Sequence, residues 1–257
     1  MNRTAILSDI HGNPLALEAV LIDIEQNVGA DSFYVLGDIA AIGYDPVQPL
    51  EMITALPGLK AVRGNTERFL VTGERPLPSP AEMAKQPERL PDYMHLIAGF
   101  AWTQGIITHN GWMSWLAELP LEIRATLPDG TRFLGVHASP GKDDGDGINP
   151  LTSEEKLNKM ANIAQADLIC VGHTHWPLEK QLNGVHFFNI GSVGNPLIPD
   201  GKACYAVLET GKDGYQISHR YVEYDHETVI KAVRAADHPM ADYIIRFQHG
   251  KNKPPWA

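Results

Sequence analysis

Five apolar runs in this chain each stop at a tight cluster of carboxylate, amide or imidazole side chains, and this recurrence limits the fold more than any other feature. The first run, Ala5-Ile6-Leu7, ends in Ser8-Asp9-Ile10-His11-Gly12-Asn13. Residues two apart on an extended segment project to the same side, so Asp9 and His11 arrive together where the strand stops. Gly12 permits a turn, Asn13 is a good helix N-cap and Pro14 suits the first helical position. The helix that follows shows an apolar face at Leu17, Val20, Leu21 and Ile24, the i, i+3, i+4, i+7 spacing of an amphipathic helix. Taken alone, an Asp-x-His stretch fits an N-cap cluster with a surface histidine as well as it fits a site. The repetition of the pattern decides between them.

The second strand, Ser32 to Leu36, runs into Gly37-Asp38, and a third, Leu59 to Val62, runs into Arg63-Gly64-Asn65-Thr66-Glu67. A helix is expected over 47–56. Three strand–helix units of this form describe a largely parallel sheet with right-handed crossovers. Residues 73–92 hold five prolines and read as a solvated loop without a regular core. Helices are expected at 93–104 and 110–118, where Trp102, Trp112 and Trp115 suit a packed layer. A hairpin over 121–136 ends in His137, a helix covers 152–164, and the strand Leu168 to Val171 ends in Gly172-His173-Thr174-His175. The acidic segment 141–149 lacks the ordered spacing of a calcium loop and reads as solvated. A second hairpin spans 178–190, antiparallel strands follow at 203–209 and 215–224, and helices near 226–236 and 239–248 close the pattern. The expected fold is mixed α/β: a four-layer α/β/β/α sandwich of two facing mixed sheets flanked by helices. An α/β unit comes first and a β-rich half follows, within one domain over 1–257.

Composition excludes some functions. A net charge of −10 over 257 residues argues against a duplex nucleic-acid binder, which carries a basic face. It leaves phosphate substrates open if bound metal supplies the positive charge. Cys170 and Cys204 lie in strand-like runs, as two reduced thiols of a reducing compartment would. No run reaches membrane-spanning length, so a cytoplasmic protein without membrane contact is expected. Self-association through the C-terminal segment stays open. The strand-end groups Asp9, His11, Asp38, Asn65, His137, His173 and His175 mix carboxylate, amide and imidazole donors, which suits Mn, Fe or Zn, with enough ligands for two ions.

In order along the chain, Asp9-x-His11, Gly37-Asp38-(x)4-Gly43, Gly64-Asn65, Val136-His137 and Gly172-His173-Thr174-His175 resemble the five motifs of the calcineurin-like metallophosphoesterases. The stretches Ser8 to Asn13 and Asn189 to Pro196 are similar to the small bacterial phosphodiesterase branch. The likeness covers about 4–209, with 211–257 outside it. It implies one divalent ion on Asp9, His11, Asp38 and His175, and a second on Asp38, Asn65, His137 and His173, with Asp38 bridging. Mn leads, with Fe, Zn, Ni and Mg as alternatives. The implied activity is hydrolysis of phosphodiesters or phosphoanhydrides in a small phosphorylated substrate by a metal-bridging water, with Asp38 and Asn65 as catalytic ligands. Arg63, Thr66 and Asn13 are candidate substrate contacts: Arg63 to a phosphate oxygen, weighed against a surface ion pair, Thr66 by a hydrogen bond to a phosphate oxygen, and Asn13 weighed against a helix cap.

One position departs from the family. Its third motif usually reads Gly-Asn-His-Asp or Gly-Asn-His-Glu, the histidine assisting the leaving group, whereas this chain has Gly64-Asn65-Thr66-Glu67. Threonine is no general acid near neutral pH, and a positioned proton donor is worth roughly 10²–10⁴-fold in rate. The departure favours substrates with good leaving groups, with His95 or His109 as substitute donors and a weakly active binding role as the other readings. A protein-phosphatase-like monoesterase is disfavoured because the text after Asp38 reads Ala40-Ala41-Ile42-Gly43-Tyr44 where that class carries an Asp-Arg-Gly run. A metal-binding scaffold would be expected to have lost ligands, and all seven positions are filled.

Overall fold

The central strands of each sheet are buried on both faces, and the order of the elements explains why. The computed structural model describes residues 2–76, 78–252 and 254. Strand β1 (Asn2–Leu7) leads through helix α1 (Pro14–Asn27) to β2 (Ser32–Val35), then through α2 (Gln48–Thr54) to β3 (Lys60–Ala61). Helix α3 (Asn65–Thr72), the short α4 (Pro80–Met83), α5 (Leu90–His109) and α6 (Met113–Glu118) follow. The hairpin β4 (Glu122–Thr126) and β5 (Arg132–Val136) precedes α7 (Glu154–Ala164) and β6 (Leu168–Val171). The hairpin β7 (Leu178–Leu182) and β8 (Val185–Asn189), the long pair β9 (Ala203–Gly211) and β10 (Gly214–Val222), then α8 (His226–Ala235) and α9 (Ala241–Gln248) complete the described chain. Among the described residues no helix is long and apolar enough to cross a membrane.

The strands form two five-stranded sheets, ordered β10-β9-β1-β2-β3 and β4-β5-β6-β8-β7. The β1–β2 and β2–β3 pairs are parallel, with Ala5 opposite Phe33 and Tyr34 opposite Lys60. Three apolar interfaces separate the four layers. Ile6, Leu36, Phe133, Cys170, Phe188 and Leu208 fill the space between the sheets. Leu7, Leu17, Val20, Leu50, Phe100 and Ile230 join the first sheet to its helices, and Leu134, Leu157, Ile169 and Val171 join the second sheet to α7. Alternate residues of β6 therefore serve two different cores, Leu168 and Cys170 inward and Ile169 and Val171 outward. A strand buried on both faces reads as a continuous apolar run. Both cysteines are free and buried.

Two expectations need correction. The chain does not divide into an α/β half followed by a β-rich half, because β9 returns to pair antiparallel with β1, Ala5 opposite Val207. The first sheet thus combines both ends of the sequence, and the edge position left open beside β1 selects that return. The proline-rich segment 73–92 also carries regular structure. Ser79 starts α4 by exchanging hydrogen bonds with Glu82, a short 3-10 turn covers Pro87–Arg89, and α5 begins at Leu90. Proline is tolerated in a first helical turn, so Pro80, Pro87 and Pro91 open helices rather than exclude them.

Candidate metal centre

The C-terminal ends of β1, β2, β3, β5 and β6 gather at one end of the sandwich, and their turns bring Asp9, His11, Asp38, Asn65, His137, His173 and His175 together. Five of these seven, Asp9 (φ 54°), His11 (49°), Asp38 (52°), His173 (68°) and His175 (57°), have left-handed backbone. Non-glycine residues reach that region only where the surroundings over-determine it. Here the turns are tied across segments. The Asp9 N–H donates to Gly37 O at 3.1 Å, His11 N–H to Asp38 O at 2.9 Å, and Gly172 N–H to His137 O at 2.8 Å. Two glycines make room for the carboxylates: a Cβ on Gly64 would stand 2.1 Å from Asp38 Oδ1, and one on Gly172 2.5 Å from Asp9 Oδ2.

Each imidazole turns one nitrogen outward to a carbonyl and the other inward. The Nδ1–H of His11 donates to Ala41 O, that of His137 to Leu36 O at 2.6 Å, and that of His175 to Asn195 O at 2.7 Å. His173 uses Nε2–H toward Gly145 O at 2.8 Å. Such outer partners fix the tautomer and leave the inward nitrogen as a lone pair. The inward atoms crowd one another. His11 Nε2 lies 3.0 Å from His175 Nε2, and Asn65 Oδ1 lies 3.0 Å from both His137 Nε2 and His173 Nδ1. Asp9 Oδ1 is buried with no hydrogen-bond partner, 3.2 Å from His175 Nε2 and 3.6 Å from His11 Nε2. Asp38 reaches both sides, Oδ2 at 3.7 Å from His11 and Oδ1 at 3.4 Å from His137. So many carboxylate, amide and imidazole acceptors in one buried space require positive charge among them, carried by protons on the imidazoles or by a bound cation.

Two ligand groups satisfy that requirement geometrically, Asp9 with His11 and His175, and Asp9 with Asp38 and His137. Asp9 is common to both, whereas the family likeness assigns the bridge to Asp38; the two oxygens of Asp38 face the two histidine pairs. Burial acts against ionisation of Asp38, yet the neighbouring His137 holds its carboxyl down at about 2. His137 is buried too, and the charges of Asp38 and Asp9 push it up to about 10. Against burial, the charge of His175 and hydrogen bonds from His11 and His175 keep Asp9 low, and Asp9 and Asp38 keep His11 high. His173 is lowered, first by burial and then by the charge of His137.

The three candidate substrate contacts have other partners. Arg63 Nε donates to Asp143 Oδ2 at 2.8 Å, an ion pair rather than a free phosphate contact. The Thr66 hydroxyl and backbone N–H donate to Asp38 Oδ1 at 2.9 and 3.0 Å, so Thr66 orients a carboxylate instead of standing open to a phosphate. Asn13 Oδ1 caps α1 at Ala16 N, and its amide donates to Gly194 O. The segment 141–149 is corrected as well. Asp143 is buried and receives both Arg63 and Arg68, so the loop packs over the site, where Gly145 O meets His173. Its two arginine partners lie some 75–80 residues away in sequence, beyond any local signal. His95 and His109 are exposed and do not line the cavity of about 210 Å³ bounded by His11, Asp38, Asn65, Thr66, His173 and His175.

Two contributors were missed. Glu67 is fully buried and accepts the N–H groups of Asp38, Ile39 and Gly64, each at 2.8 Å. It clamps the turn after β2 to the start of α3, although burial and the charge of Asp38 push its carboxyl up. Its signal was the acidic residue three positions after a helix cap. The second is α9, whose Phe247 ring stands 6.0 Å from that of His175 and whose Tyr243 lines the cavity. An aromatic pair four residues apart on a helix carries no mark that separates a site wall from core.

A calcineurin-like phosphoesterase superfamily domain matches residues 3–213. The chain is similar to "Uncharacterized protein MJ0912" of Methanocaldococcus jannaschii, 30% identical over 248 residues, covering 88% of this chain and 91% of the relative. The hypothetical protein PH1004 of Pyrococcus horikoshii overlays with a TM-score of 0.80 at 22% identity, covering 98% of this chain and all of that one. A metallophosphoesterase from Sphaerobacter thermophilus overlays with a TM-score of 0.76 at 24% identity, covering 98% and 99%. These two overlays show a shared fold. The five strand-end motifs, the two-sheet sandwich they sit on and the domain match over 3–213 place this chain in the calcineurin-like phosphoesterase superfamily.

Proposed function

We propose that this protein is a two-metal phosphodiesterase that hydrolyses small phosphodiesters or phosphoanhydrides with good leaving groups. The observation that carries this reading is the buried meeting of acceptors from five segments, with Asp9 Oδ1 unpartnered among inward-facing imidazole nitrogens. Asp9, His11, Asp38 and His175 would hold one divalent ion, and Asp38, Asn65, His137 and His173 the other. Bound ions supply Lewis acidity toward water and neutralise the phosphoryl oxygens. Mn is the proposed metal on the mixed O/N donor set.

The chain's own residues define the rest. Asp9 and Asp38 are the formal anions among the proposed ligands, so two dications would keep about two positive charges for a phosphate ester. Asp38 is held in place by Thr66 and, through the backbone, by Glu67. With the Thr66 hydroxyl directed to Asp38 Oδ1, no proton donor stands where the family histidine would, which favours substrates whose leaving group departs unassisted.

The test is hydrolysis of bis-p-nitrophenyl phosphate against p-nitrophenyl phosphate, with Mn²⁺ restored after chelation. Diester turnover should require the metal, exceed monoester turnover and fall to background in Asp38→Ala. Equal turnover without metal, or an unaffected Asp38→Ala, would overturn the proposal.

A further inference from the structure

Beside the metal cavity a second, larger depression of about 690 Å³ shares three walls with it, His173, His175 and Tyr243. One side is the segment from Gly145 to Thr152, and the other is α9, with Tyr243 and Phe247. We propose that this groove seats one ester group of the substrate, an uncharged group carrying a flat aromatic ring of nucleoside size. The inference rests on the phosphodiesterase reading above and adds the class of substrate to it.

Three observations lead there. The first is continuity: the two spaces meet at His173 and His175, so a phosphate among the seven strand-end groups would direct one ester arm along the groove. The second is exposed apolar surface. Leu151 is 73% and Tyr243 43% exposed, and both line the groove, while exposed apolar surface gathered at one place marks a binding site. The rings are arranged as a corner. Tyr243 and Phe247 meet edge to face, centroids 5.3 Å apart at 79°, and Phe247 leans on His175 at 34°. A flat ring on Tyr243 would extend the series that begins at His175.

The third observation is charge. The charged groups on the walls are Asp146 and Lys156, and they neutralise each other at 2.8 Å. Among the described residues no uncompensated cation lines the groove, which does not suit a second phosphate or a carboxylate. The remaining polar walls, among them Asn149 and Thr152, offer amide and hydroxyl groups that match the polar edge of a heterocycle. The volume falls within the range of small-molecule sites. Tyr243 and Phe247 also lie beyond residue 213, where the family match ends, so this wall of the groove stands outside the strand-end motifs.

Calorimetric titration with two diesters that differ in one group tests this: thymidine 5′-methyl phosphate against dimethyl phosphate, on the full chain with Mn²⁺ added. The thymidine diester should bind roughly 10-fold or more tightly than dimethyl phosphate, the scale of stacking one base on an aromatic side chain. Tyr243→Ala should remove most of that ratio and Tyr243→Phe should keep it. Thermal denaturation of each variant verifies folding, since a half-exposed ring is no part of the core. Equal binding of the two diesters, or a ratio that survives Tyr243→Ala, would overturn the inference. Ring-dependent binding in a protein that hydrolyses nothing would sustain the groove and sink the hydrolase reading. Turnover of bis-p-nitrophenyl phosphate without ring dependence would do the reverse.

Discussion

The strand-end turns and the C-terminal helix α9 border the same cavity and are built in opposite ways. The turns are buried and tied by hydrogen bonds from segment to segment, and five of their side chains stand on left-handed backbone. Helix α9 has ordinary helical backbone and offers Tyr243 as a half-exposed ring. A charge-binding cluster has to be held against the mutual repulsion of its acceptors, so its supports are many and rigid. A wall that accommodates an organic group needs shape and apolar surface, which one helix face provides. On the proposed reading, chemistry sits where the sandwich is over-determined, and selectivity on a helix face held by fewer ties.

The sharpest way to break that comparison is to remove a support of the turns. Glu67→Ala leaves the N–H groups of Asp38, Ile39 and Gly64 without their acceptor. Each buried orphan costs about 1–3 kcal/mol, so urea denaturation should show a loss of roughly 4 kcal/mol. Mn²⁺ affinity should fall with it, because Asp38 and Asn65 flank the clamp. Unchanged stability would mean that the turns hold themselves and that Glu67 is incidental.

A smaller effect is expected where the C-terminal return is fastened. Asp23 on α1 accepts from Arg220 on β10 at 2.8 and 2.9 Å and from the Tyr205 hydroxyl on β9 at 2.6 Å. The Arg220 hydrogen bonds, with help from Tyr205 and against partial burial, hold the Asp23 carboxyl at about 2. A carboxyl lowered on folding stabilises the native state above its unfolded value near 4, and that contribution fades as the pH falls toward 2. Asp23→Asn should therefore cost about 1 kcal/mol at pH 7, after allowance for solvent screening. The difference from wild type should shrink between pH 4 and pH 2, with Mn²⁺ binding unaltered at pH 7. A deficit independent of pH would show that packing, not charge, fastens the hairpin.

What the sequence made legible follows the same division. Strands buried on both faces write themselves as continuous apolar runs, so the ends of β1, β2, β5 and β6 were readable, and with them the polar groups that cluster there. Helix α1 was readable from Asn13, Pro14 and its apolar face. The return of β9 beside β1 was not, because a buried antiparallel strand and a buried parallel one look alike in composition. Arg63 and Thr66 were placed near the site by sequence, but their partners, Asp143 and the Asp38 carboxylate, are tertiary facts. Tyr243 and Phe247 lie in a segment whose amphipathic pattern says only that one face is covered.

The central claim is that the strand-end cluster is a two-ion site, and metal stoichiometry tests it most directly. Equilibrium dialysis of the chelated protein against Mn²⁺, read by elemental analysis and paired with electron paramagnetic resonance, should give about two ions per chain with the spectrum of a coupled pair. Asp38→Ala should abolish the coupling and weaken at least one ion. Wild-type protein that binds no Mn²⁺, Fe²⁺ or Zn²⁺ under these conditions, or one isolated ion indifferent to Asp38→Ala, would contradict the account.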